Sequence, residues 1–186
     1  MFLLIVAMLL LTSTAVPAQQ MIASNVARVY IDESDDGRLL MTGVHRRPSN
    51  VVIPSTFNAD IEVMLQSSPT FRAQCDRIAL ATRLHVVIRQ SMLAPAQSAV
   101  TQLSRQPDGR LDADVQVGPL GDPVLLIAHE FEHIIEQLDG VDLEAIAGRQ
   151  GTGVRADPKS GHFETERAIA MGRRVAREVS SAAARR

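Results

Sequence analysis

Five consecutive residues carry the clearest chemical signal in this chain: His129-Glu130-Phe131-Glu132-His133, an H-E-x-x-H pattern. Histidines four apart stand one turn apart on the same helical face, so both imidazoles can reach one Zn²⁺. The glutamate beside the first can hold and deprotonate a water there. Chance gives this pattern in roughly 0.6% of chains of this length and composition. The chemistry it points to is hydrolysis by a metal-activated water.

Zinc in such a site needs a third protein ligand and keeps one position open. Three residues are candidates. Glu164 opens an expected helix running to about Ala183. On that helix it shares a face with Ala168, Met171, Val175 and Val179, whereas Glu166 falls beside Arg173 and Arg177. A carboxylate on a core-facing stripe wants a partner, and a metal is one, although a helix N-terminal cap would also suit it. Asp139 stands at the last position of an H-E-x-x-H-x-x-G-x-x-D arrangement, but Glu136 replaces the required glycine. His162 is the third candidate. It is better assigned as a hydrogen-bond donor to an oxyanion, with a surface-loop histidine as the competing role. Glu132 and Glu136 flank the triad of His129, Glu130 and His133. Both read as solvated helix charges, with Glu136 close enough to the histidine face to support a ligand.

The motif helix is well punctuated. Asp122 caps it, Pro123 takes its first position, and Gly140 follows its end near Asp139. Its other side carries Val124, Ile127, Ala128, Phe131, Ile134, Ile135 and Leu138, which predicts packing on a core. Upstream, 59–65 and 70–80 read as helices, the second started by Pro69, and 84–88 as a strand. Residues 99–104 and 111–117 flank Gln106-Pro107-Asp108-Gly109 as a hairpin. Leu111, Ala113, Val115 and Val117 alternate with Asp112, Asp114 and Gln116. Another hairpin is expected over 28–44 around Ser34-Asp35-Asp36-Gly37, and Pro48 and Pro54 punctuate a loop. Residues 141–147 make a further helical turn or two, and 148–162 a loop. Small residues at Ala168 and Gly172 would let the last helix approach the motif helix closely. The fold class expected is α+β: a small, mainly antiparallel sheet packed on the motif helix and a following C-terminal helix.

Residues 1–18 read as a secretory leader: an apolar run from Met1 to Leu11, then Val16 and Ala18 at the −3 and −1 positions of a cleavage site before Gln19. The run is shorter than the ~20 residues of a membrane-spanning helix. A secreted or periplasmic protein without a stable membrane span follows. Residues 19–83 add a hairpin and helices to the same domain, and 84–186 form the unit bearing the motif. The 186 residues carry a formal charge of −2, 3% aromatics and no Trp, which argues against nucleic-acid partners. A lone cysteine, Cys75, excludes an intrachain disulfide framework and a thiolate zinc module. Its amphipathic setting predicts burial.

With His129, Glu130 and His133 in place and Glu164 31 positions after His133 on a following helix, the chain resembles the gluzincins, the thermolysin-type branch of zinc metallopeptidases. The minimal gluzincins are most similar in size and order. The resemblance covers about residues 84–180 and is specific only at 129–133. It implies a zincin-like fold, Zn²⁺ held by His129, His133 and Glu164, and Glu130 as general base. A peptide or protein substrate would lie along an edge strand before the motif helix, here Leu111–Val117. The family's Asn before the third-ligand Glu and Ser-Asp after it are replaced by Phe163 and Thr165. Two other readings stand beside it: a non-catalytic zinc- or partner-binding envelope domain, and a structural domain without metal.

Overall fold

A computed structural model describes residues 46–94, 97–157 and 161–185, within a unit spanning Leu39–Arg186. The leader at 1–18 and the hairpin expected over 28–44 lie outside the described residues. In chain order the elements are β1 (Val51–Val52), a 3-10 turn (Ser55–Phe57), α1 (Asn58–Ser67), α2 (Pro69–Ala79), β2 (Leu84–Gln90) and β3 (Ala99–Arg105). There follow β4 (Leu111–Val117), α3 (Pro123–Leu138), α4 (Leu143–Ile146), β5 (Val154–Ala156), β6 (Phe163–Thr165) and α5 (Glu166–Ala183). The caps do what their chemistry predicts. The Ser68 hydroxyl accepts from Phe71 N ahead of Pro69, and the Asp122 carboxylate accepts from Val124 N ahead of Pro123. Gly140 follows α3 with a φ of +75°, a conformation that favours glycine.

The sheet corrects one expectation. Its order is β1-β2-β4-β3, and only β3 and β4 pair antiparallel; β1 with β2, and β2 with β4, are parallel. The sheet is therefore mixed, not mainly antiparallel. Two connections account for this. The chain between β1 and β2 passes through α1 and α2, long enough for a parallel crossover. After β2 the chain builds β3 on the outside, and the Gly109 turn returns β4 between β2 and β3. A second expectation fails with it. Leu111–Val117 is an inner strand, and the edge on the motif side is β3. Residue alternation reports which face a side chain takes, not strand direction or order.

One face of the sheet, with Leu84, Val86, Ile88, Leu111, Ala113, Val115 and Val117, shares a core with α1, α2, α3 and α5. Phe71 of α2 stacks on Phe131 of α3 with ring centroids 5.6 Å apart. Cys75 is buried in this core, as expected, and burial pushes its thiol up to about 12. The helices α3 and α5 pack closely where Gly172 lies. A Cβ there would meet the Leu125 carbonyl oxygen at 2.8 Å and His129 Cβ at 3.1 Å. Ala168, one turn earlier, is fully buried. Both small residues act as the sequence predicts. Residues 148–162 contain more order than a loop: β5 pairs antiparallel with β6. Among the described residues, no helix is long and apolar enough to cross a membrane.

Candidate metal centre

His129 and His133 project from α3 towards the β5–β6 hairpin, and Glu164 reaches them from β6. The sequence placed Glu164 on the last helix. It stands instead on the strand before it, opposite Arg155, and α5 begins at Glu166 with Thr165 as its N-cap. The three side chains nevertheless converge. His129 Nε2 lies 3.2 Å from His133 Nε2 and 3.2 Å from Glu164 Oε1, and His133 Nε2 lies 3.8 Å from that same oxygen. Donors on a tetrahedral ion with bonds of about 2.0–2.1 Å are about 3.3–3.4 Å apart, so this triangle fits one metal. The histidine side chains are 13% and 12% exposed and the glutamate 46%.

Glu130 is 4% exposed, and its Oε2 accepts a 2.7 Å hydrogen bond from Thr101 Oγ1 on β3. Burial pushes its carboxyl above the ordinary range, against the opposing pull of the Thr101 bond and the two imidazoles. Burial also pushes Glu164 upward, but the His129 hydrogen bond and charge outweigh it and hold Glu164 below the ordinary value. For His133, burial favours the neutral ring. The Glu136 hydrogen bond and the carboxylates of Glu130, Glu136 and Glu164 overcome that and raise it.

Glu132 and Glu136 are both 3% exposed, which corrects their reading as solvated charges. Glu132 accepts from Arg167 Nε at 2.6 Å and from Gln74 Nε2 at 2.8 Å. Arg167 also reaches Asp139, which accepts from Arg77 as well, so these pairs join α2, α3 and α5. Asp139 is thereby committed to two arginines and stands outside the converging triad. Glu136 Oε2 lies 3.0 Å from His133 Nδ1, and its Oε1 accepts from Thr165 Oγ1 at 2.7 Å. His162 is also outside the triad. It precedes β6, with its Nδ1 2.7 Å from Gln97 Nε2.

Charge balance is a second test of the donor set. Among the described residues, Glu130, Glu136 and Glu164 form no ion pair with Arg or Lys, whereas Glu132 is matched by Arg167. Glu130 and Glu136 are buried, and a divalent ion at the triad would offset the cost of holding their carboxylates there. Thr101 and Thr165 escaped sequence reasoning, although a threonine on the inward side of β3, between Ala99 and Leu103, is a legible signal. Comparison of the chain with protein-family models, curated proteins and solved structures gives no match.

Proposed function

We propose that this protein is an exported zinc metallopeptidase, with His129, His133 and Glu164 as ligands and Glu130 as general base. The observation that carries the reading is the triangle of two imidazole nitrogens and one carboxylate oxygen beside a buried glutamate. Zinc bound there supplies the Lewis acidity that makes water nucleophilic near neutral pH and polarises a carbonyl. Thr101 occupies Glu130 Oε2 and orients the carboxylate. Glu130 Oε1 then takes a proton from the attacking water as the new C–O bond forms. It returns that proton to the departing amide nitrogen as the C–N bond breaks. The strand bordering the site is β3, so a peptide substrate in this reading lies along Ala99–Arg105. His162 is the side-chain donor to the oxyanion. Its Nδ1 lies 2.7 Å from Gln97 Nε2. The leader-like run at 1–18 supports a secreted or periplasmic location.

Glu130→Gln tests the reading. The variant should bind zinc like wild type and lose hydrolysis of a mixed peptide library. Hydrolysis at the wild-type rate would refute the assignment of the base.

A further inference from the structure

We propose that Glu136 and Thr165 are positioning residues: a two-residue clasp that sets the His133 tautomer and ties the Glu164 strand to the motif helix. The inference rests on the zinc reading above. Its geometry begins at Thr165. This hydroxyl caps α5 by accepting from Ala168 N at 2.9 Å, which uses one of its lone pairs. Its single proton goes to Glu136 Oε1 at 2.7 Å. The other carboxylate oxygen, Oε2, faces His133 Nδ1 at 3.0 Å. Where the Glu136 carboxylate accepts from the ring, Nδ1 carries the proton and Nε2 presents a lone pair. That Nε2 is the nitrogen 3.2 Å from His129 Nε2, at the centre of the triad.

The clasp closes through the backbone. Thr165 N donates to Glu164 Oε1 at 2.9 Å, the oxygen that faces both histidines. One residue therefore touches the third ligand through its amide and the second ligand's partner through its hydroxyl. Glu132, one turn before Glu136, gives the contrast. It is equally buried but answered by Arg167, as expected of an ion pair that only joins helices. Glu136 has no Arg or Lys partner among the described residues; both its oxygens are spent on the path between two ligands. The extended pattern on α3 is therefore H-E-x-x-H-x-x-E, with the second glutamate acting through His133.

The test uses the full chain, zinc itself and two readouts. In the first, zinc affinity is measured against a competing chromogenic chelator. Glu136→Met and Thr165→Val should lose about 10–100-fold, and Thr165→Ser should stay within about threefold of wild type. In the second, long-range ¹H–¹⁵N NMR on metal-free wild-type protein, at a pH high enough for a neutral ring, should show His133 as the Nδ1–H tautomer. A merely structural glutamate would move melting temperature without setting that tautomer. Wild-type zinc affinity in Glu136→Met, or an Nε2–H tautomer in wild type, overturns the clasp. Absence of zinc binding by wild type overturns the metallopeptidase reading instead, and the tautomer still decides the clasp.

Discussion

Replacing Gly172 with alanine is a sharp probe of how the helices hold the site. The added methyl carbon would stand 2.8 Å from the Leu125 carbonyl oxygen and 3.1 Å from His129 Cβ, both on α3. The first is backbone and cannot rotate away, so α5 must retreat by about 0.5 Å to restore ordinary contact. Overpacking of this kind costs about 1–3 kcal/mol. Alanine recovers about 1 kcal/mol through helix propensity. The balance is a loss of about 0–2 kcal/mol, or a melting temperature lower by up to about 8 °C. The same retreat draws Thr165 away from Glu136 and Glu164 away from the histidines. Zinc affinity should therefore fall along with stability. Thermal melts read the first effect and chelator competition the second. A Gly172→Ala protein more stable than wild type, with unchanged zinc affinity, would refute this account of the helix interface.

Two more predictions follow from the same geometry. Glu178 accepts from Ser68 Oγ, Thr70 N, Thr70 Oγ1 and Arg174 Nε. Burial raises its carboxyl, but these bonds together hold it below the ordinary 4.5. Its stabilisation is thus present above about pH 4.5 and lost as pH falls through the folded value. Glu178→Gln should cost about 1.5–3 kcal/mol at pH 7, with the two denaturation curves converging in acid. Thr101→Val removes the Glu130 Oε2 hydrogen bond, a contact that favours the ionised form. If Glu130 is the base proposed above, it then needs a higher pH to ionise and the acidic limb of the pH–rate profile should move upward; an unmoved limb would sever Thr101 from that role.

The motif helix was legible because every local signal agreed: Asp122, Pro123, the histidine spacing and Gly140 all mark one element. The β3–β4 hairpin was legible from its turn and alternation. Strand direction was not, because β2 and β4 are brought side by side only by the path of the intervening chain. Glu164 does converge with the two histidines, but from a strand and not from the helix its reading assumed. A three-residue strand is too short to show a period, so the helical wheel absorbed it, and the Thr165 cap was the signal that separates the two elements. The burial of Glu132 and Glu136 was hidden for another reason. An apolar stripe identifies the packed side of a helix with one neighbour, but α3 is covered by the sheet, α2 and α5. Its buried set accordingly includes Glu130, Glu132 and Glu136 as well as the apolar residues. Polar side chains on such a central helix are answered by tertiary partners far away in sequence, as Arg167 answers Glu132.

Metal content is the most direct test of the central claim. The purified protein, equilibrated with zinc, desalted and assayed by elemental analysis, should retain about one equivalent, and His133→Ala and Glu164→Ala should each lose it. Zinc retained in full by His133→Ala, or absent from wild type, would contradict a metal centre at His129, His133 and Glu164.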